Sequence, residues 1–328
     1  MVLSLRVGLV GAGDAAGHHA RALGALHADG AARWSGVCAR DPGRLDAFSD
    51  HHGAPPDALR SVDLDRFLDP ATLDAVVLAT PDGLHPAHVA LAAARGLHVL
   101  VEKPIAPDAA TALALVDACR AEGVRLGVGY HLRHHAGHRS VRDNLRALIG
   151  PLRHVDVRWA WPDPARDGWR ARGRDARWWA LAALGTHALD LAQWFAGDGA
   201  PTVHGGWMRP ASGIDEAAGM SASFGDDVTA HVWVSVEQRA TPRVLLAGLD
   251  GELEALGTLG ARGAGAITLR RGGGERLVVP FDARDPYEAQ LRAFVAAVRE
   301  GRDPDASGDD GARNVALLEQ WTHLARRT

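Results

Sequence analysis

Of the 36 basic side chains in this sequence, 35 are Arg and one, Lys103, is Lys. Asn and Ile are scarce while Ala and Gly abound, a composition under which a Lys needed only for its charge drifts to Arg. What Arg cannot replace is a compact amine able to change protonation. Lys103 is therefore singled out as a residue with chemistry to perform. It stands in Glu102-Lys103-Pro104, directly after the apolar run 97–101.

A second constellation lies at GAGDAAG (11–17). Gly11 and Gly13 fit the first two positions of a G-x-G-x-x-G/A turn, and Ala16 the third. Gly11 permits the tight turn, Gly13 lets a pyrophosphate approach the backbone, and Ala16 allows close helix–strand packing. The stretch Gly11, Ala12, Gly13, Asp14, Ala15 and Ala16 is thus the expected phosphate cradle of a dinucleotide, with the helix N-terminus facing the anion. At the end of the second strand, Ala39 occupies the place of the acid that holds a ribose 2′-hydroxyl, and Arg40 follows it. Arg suits a 2′-phosphate, so NADP(H) is the expected cofactor. NAD(H) is the alternative if Asp41 serves the hydroxyl instead. His131, His134, His135 and His138 include i, i+4 pairs, but they follow a strand, contain Gly137 and have no acidic or Cys neighbour; no metal is assigned.

These residues need elements to hold them. Residues 3–10 read as a buried strand running into the glycine turn and a helix. Further strands are expected at 31–39, 74–80, 97–104 and 125–130, alternating with helices near 42–52, 84–95 and 107–122. Such alternation gives a doubly wound parallel sheet. After Gly150 the texture changes to MSASF, VTAHVWVSV, RVLLAGL and AITLRR, separated by GDD, DG and GGG, which read as antiparallel strands. Helices are expected at 183–196, 286–300 and 309–327. The division is a dinucleotide domain at 1–125 and an α+β domain at 126–328. With 47% hydrophobic and 23% charged residues, disorder is excluded for the whole. A net charge of −4 advertises neither nucleic acid nor an anionic membrane as partner. Cys38 and Cys119 argue against a disulfide framework. The start is a poor signal peptide and no long apolar run follows, so the cytoplasm is the expected location.

The glycine turn, ATPDGLHPAHV (79–89), GLHVLVEKPIA (96–106) and GTHALDL (185–191), in that order, resemble the glucose–fructose oxidoreductase / inositol dehydrogenase (Gfo/Idh/MocA) family. Within it, VCARDPGRLDAF is most similar to NADP-using members such as dimeric dihydrodiol dehydrogenases. The resemblance implies a Rossmann domain and an open-faced, largely antiparallel sheet that receives substrate and builds homo-oligomers, dimer or tetramer. It implies hydride transfer between a nicotinamide and a carbon bearing a hydroxyl, on a sugar, cyclitol or related diol. Thr80, Pro81, Asp82, His85, Glu102 and Lys103 then line the cofactor, Asp82 standing where many relatives have Asn. Trp169 and Arg170 resemble a pair near the nicotinamide, and Tyr130 and Arg133 an aromatic and an Arg that meet substrate or cofactor. His187 matches the family's Asp-x-Gly-x-His, but the Asp of that motif is Ala183 here; Asp190, more often structural, is the nearby substitute.

Alcohol oxidation needs a base and carbonyl reduction an acid, and an imidazole serves both. His187 is expected in that role. Lys103 is expected to bond the substrate oxygen and stabilise charge developing on it. Seven tryptophans fall between 159 and 207, most of them read as core, with Trp169, Trp178 or Trp179 as cleft residues. Two other functions fit the same motifs: a redox-neutral enzyme that retains its dinucleotide, as in glycosidic cleavage, and a non-catalytic dinucleotide-binding sensor.

Overall fold

A computed structural model describes residues 4–163, 168–170, 176–197, 199, 201–211, 214–272 and 274–327; Leu3, read as the start of the first strand, lies outside them. By contact the chain forms two compact units, residues 1–130 with 287–312, and residues 131–286 with 313–328. A contiguous division at 125/126 cuts off Leu126–Val128, which pairs with the strand His98–Val101, and assigns 287–312 to the second unit. That segment instead bonds to the first: Gln290 Nε2 donates to the Val128 carbonyl at 3.1 Å, the Val128 N–H donates to the Ala306 carbonyl, and Arg292 pairs with Asp29.

In the first unit, β1 (Leu5–Val10), α1 (Asp14–Ala28), β2 (Ala32–Cys38), α2 (Pro42–His51), β3 (Leu59–Ser61), α3 (Leu64–Phe67), β4 (Ala75–Leu78), α4 (His85–Ala93), β5 (His98–Val101), α5 (Ala109–Ala121) and β6 (Leu126–Val128) alternate as expected. The strands form one parallel sheet in the order β3-β2-β1-β4-β5-β6, the Rossmann arrangement. Because both faces are covered, β4 is continuously buried. The order reverses between β1 and β4, so the loops after β1, β4 and β5 line the end at which such sheets bind ligands. Cys38 and Cys119 are free and buried, and burial pushes each thiol up to about 11.

The second unit holds α6 (Ala136–Ile149), β7 (Leu152–Ala160), α7 (Thr186–Ala196), β8 (Pro201–Ala211), β9 (Ile214–Phe224), β10 (Val228–Ser235), β11 (Arg243–Gly248), β12 (Gly251–Leu256), β13 (Ala266–Arg271) and β14 (Arg276–Val278). After α8 (Pro286–Glu300), which lies in the first unit, come α9 (Gly308–Leu324) and β15 (Ala325–Arg327). The nine strands follow the order β14-β13-β12-β11-β7-β10-β9-β8-β15, antiparallel except for β7–β10 and β8–β15. Two expected helices change. The one placed over 309–327 ends at Leu324, because the last residues pair with Gly206–Met208 of β8. The one placed at 183–196 begins as a π-helical turn, Leu181–Gly185, before regular α-helix resumes. Among the described residues, no helix is long and apolar enough to cross a membrane.

Helix α7 is pinned from two sides. Asp190 receives a bidentate bond from Arg133, with Nη2–Oδ1 at 2.6 Å and Nε–Oδ2 at 2.9 Å, both side chains buried. At its start, buried Asp215 on β9 accepts the N–H groups of Trp179 (2.8 Å) and Leu181 (2.7 Å). Burial raises the Asp215 carboxyl from 3.8 to about 6, against the opposing backbone bonds. Removing one partner of a buried ion pair strands the other charge. Arg133→Ala is therefore expected to cost about 3–5 kcal/mol in urea unfolding, and Arg133→Met with Asp190→Leu to recover most of that loss; a cost below about 1 kcal/mol would place the pair in solvent. Because the folded carboxyl titrates above its unfolded value, the Asp215 contribution is present below pH 4 and is lost as pH rises through 6. Relative to Asp215→Asn, the wild type should lose about 3 kcal/mol between pH 4 and 7; parallel stability curves would contradict the raised value.

Candidate functional site

The turn after β1 has the geometry its sequence asks for. Gly11 adopts φ +122°, and a Cβ there would stand 2.3 Å from the Ala79 carbonyl oxygen. Its N–H donates to the Cys38 carbonyl at 2.8 Å, locking the end of β1 to β2. Gly13 begins α1 with no side-chain cap, and a Cβ there would meet nothing within 4 Å. An uncapped helix start with open space beside it leaves backbone donors for an anion. The turn fits a dinucleotide pyrophosphate. Ala12 and Ala15 are half-buried, Ala16 is buried on the sheet side, and Asp14 is exposed in the first turn.

Beyond β2, Arg40 is exposed while Asp41 is committed to capping α2, accepting the Arg44 N–H at 2.7 Å. Arg44, which no sequence motif marks, donates its Nη2 to the Ala12 carbonyl at 3.2 Å and so reaches across to the phosphate turn. After β4, Thr80 and Pro81 are half-buried and Asp82 is buried. Thr80 Oγ1 lies 3.1 Å from His88 Nδ1, and His88 is lowered by burial first, then by the charges of His85 and Arg40. His85, expected against the cofactor, is fully buried, its ring nitrogens 2.8 Å from the Pro104 carbonyl and 2.9 Å from that of Thr80. It ties the loops after β4 and β5 together.

Lys103 is buried at 8% exposure and joined to Pro104 by a cis peptide bond. Its N–H donates to the Glu102 carboxylate at 3.3 Å. Glu102 in turn meets His19 Nε2 of α1 at 2.9 Å, both side chains almost fully inaccessible. Gly129 leaves room for this carboxylate: a Cβ there would fall 3.0 Å from Glu102 Oε1. Tyr287 packs its ring edge-on to His19 at 5.1 Å and flat against His18 at 4.8 Å. His19 and Tyr287 are additions to the site read from sequence. The available signal for His19 was a polar residue on the apolar stripe of α1, among Ala16, Ala20, Leu23 and Leu26.

In the second unit, His187 lies in the first turn of α7, buried at 3%. The His131 ring meets it edge-on at 4.8 Å and the Trp159 ring at 5.7 Å. Arg133, read as a substrate contact, is instead held by Asp190 as described above, and that bond also takes Asp190 away from replacing the carboxylate missing at Ala183. Trp178 and Trp179 are core rather than cleft residues, buried with their indole N–H groups on Thr322 Oγ1 and Asp163 Oδ2. Trp169 is half-exposed with the Arg170 guanidinium 4.3 Å over its ring. Tyr130 is fully buried at the end of the first unit. The histidine run is not one helix: His131–His134 form a 3₁₀ turn and α6 starts at Ala136. His138 is held by the Leu132 carbonyl and Thr258 Oγ1, and burial pushes it down to about 3. His135 bonds the Ala264 carbonyl and the Gly137 N–H.

The model of the oxidoreductase family with NAD-binding Rossmann fold matches residues 5–130, and the GFO/IDH/MocA C-terminal domain matches residues 141–261. A 1,5-anhydro-D-fructose reductase of Ensifer adhaerens is 30% identical, covering 74% of this chain and 75% of the relative. A dTDP-3,4-didehydro-2,6-dideoxy-alpha-D-glucose 3-reductase of Streptomyces violaceoruber is 30% identical over 99% and 97%. The crystal structure of a 3-ketoreductase from Actinomadura kijaniata with NADP and TDP-benzene superposes with a TM-score of 0.87 at 25% identity, covering 99% and 98%. The chain belongs to the GFO/IDH/MocA family and is an NAD(P)-dependent oxidoreductase acting at CH–OH or carbonyl carbons.

Proposed function

We propose that this protein is an NADP(H)-dependent oxidoreductase that interconverts a hydroxyl and a carbonyl on a sugar, cyclitol or related diol. The observation carrying this reading is the position of the only lysine. It is buried on the loop after β5, at the same end of the parallel sheet as the Gly11–Gly13 turn. The sugar reductase relatives named above support the substrate class, and the NADP held by one of them supports the cofactor. Arg40 follows β2 with no acid at position 39, where a carboxylate would repel a 2′-phosphate, while Asp41 accepts the Arg44 N–H as the cap of α2.

The nicotinamide, when bound, gives or takes the hydride. Backbone donors at the start of α1 hold the phosphates, and Arg40 the 2′-phosphate. Thr80, Pro81, Asp82, Glu102, Trp169 and Arg170 shape the cofactor's surroundings. The Lys103 ammonium bonds the reacting oxygen and stabilises negative charge on it. His187 takes the hydroxyl proton during oxidation and returns it during reduction. Substrate orientation falls to Lys103, Tyr130 and Trp169.

Lys103→Arg keeps the charge but loses the compact, exchangeable amine. Its kcat is expected to fall by about 10²-fold or more, with the NADPH dissociation constant little changed. The assay is a screen of sugars, inositols, amino-sugars and diols with NADP and NAD; near-normal turnover in the variant would remove Lys103 from the chemistry. Fluorescence titration should show NADPH binding more tightly than NADH. Arg40→Ala should weaken NADPH by roughly 10- to 100-fold, the worth of charge-assisted hydrogen bonds, and leave NADH nearly unaltered; equal wild-type constants for the two would end the NADP assignment.

A further inference from the structure

We propose that His154, Asp156 and His231 form a binding site for a divalent transition-metal ion of the zinc type on the outward face of the second sheet. The three come from adjacent strands. β7 and β10 run parallel, with Thr229 opposite His154 and His231 opposite Asp156. Side chains alternate along a strand, so Val155, Val157, Ala230 and Val232 enter the core and His154, Asp156, Thr229 and His231 share the other face.

One ligand atom from each of the three residues lies within 4.8 Å of the other two. Zinc bonds of about 2.1 Å in tetrahedral geometry separate ligand atoms by about 3.4 Å, a closure that small rotations of surface side chains supply. The His154 and His231 ring centroids are 5.1 Å apart and steeply inclined, at 75°. The donor set is two imidazole nitrogens and one carboxylate oxygen, which suits zinc, nickel or copper ahead of magnesium or calcium. Three protein ligands leave a coordination position for water.

Thr229 Oγ1 lies 2.8 Å from His154 Nδ1 and 3.3 Å from the Arg153 carbonyl; a hydroxyl that gives its proton to the carbonyl accepts the ring N–H, which leaves the His154 lone pair on Nε2. A ligating histidine held through its other nitrogen is the usual outer-shell device of metal sites. The basic Arg153 beside it in sequence is turned to Asp227 at 2.5 Å.

The test is calorimetric titration of zinc chloride into chelator-stripped full-length protein, paired with thermal unfolding with and without the ion. The wild type should take up one zinc per chain and melt at a higher temperature with zinc, while magnesium does nothing. His231→Ala and Asp156→Asn should each weaken zinc by at least about tenfold, and Thr229→Val, which touches no metal, by about tenfold, with metal-free melting close to wild type. Zinc binding of equal strength in the wild type and His231→Ala would assign the ion to other histidines, and absence of zinc binding to the wild type would equally overturn the proposal. Thr229→Val matching the wild type would overturn the support that the Thr229 hydroxyl lends to His154 in the proposed site.

Discussion

The first unit is organised around one buried contact, His19 with Glu102. It joins the middle of α1, whose N-terminus is the phosphate turn, to the residue directly before Lys103. Two loops from strands that are not neighbours, β1 and β5, thereby acquire a common reference. A buried carboxylate without its partner would bear the full cost of desolvation, so the sequence around it is constrained on every side. A Cβ at Gly129 would crowd the carboxylate at 3.0 Å, Tyr287 packs edge-on against the imidazole, and His85 fixes the following Pro104 carbonyl to Thr80. A cofactor spanning this end of the sheet would meet the phosphate turn and Lys103 at a set separation, and α1 and the β5 loop cannot drift apart while this pair is intact.

The part of the fold legible in sequence was the part governed by short-range pattern. Buried strand, glycine turn, helix and capping Asp are local signals, and they located the sheet of the first unit and the turn at Gly11–Gly13. Within the second unit, β9, β10, β11 and β13 were readable because outward polar residues alternate with inward apolar ones. Helix α6, with His135 as its cap and Gly137 in its first turn, and strands β7, β8, β12 and β14 were not assigned, since their patterns are broken by glycine, charge or short length. Strand β15, Ala325–Arg327, defeats periodicity for a different reason: its pairing with β8 is decided by a strand more than a hundred residues earlier.

The candidate site divides along the same line. Single-residue rarity exposed Lys103, and turn chemistry exposed Gly11 and Gly13. Pairings at long sequence distance stayed hidden: Arg133 with Asp190, Arg44 with the Ala12 carbonyl, His19 with Glu102, and the trio on β7 and β10. Trp178 and Trp179 show the limit of composition as a guide. Their rings serve the interior, and only the contacts of their N–H groups reveal it.

The substitution of the family's acid by Ala183 bears most directly on how the second unit contributes. The π-helical turn at Leu181–Gly185 places an extra residue into the start of the helix, a distortion that helices carry most often where function demands it. Asp215 bonds to the turn that opens this helix, Asp190 belongs to the helix itself, and each is already engaged. Asp215 turns its oxygens to the backbone N–H groups that begin the helix, and Asp190 turns its own to the Arg133 guanidinium. These two carboxylates therefore act on the orientation of α7. His187 itself packs against the His131 and Trp159 rings, which helps to set the plane of the imidazole.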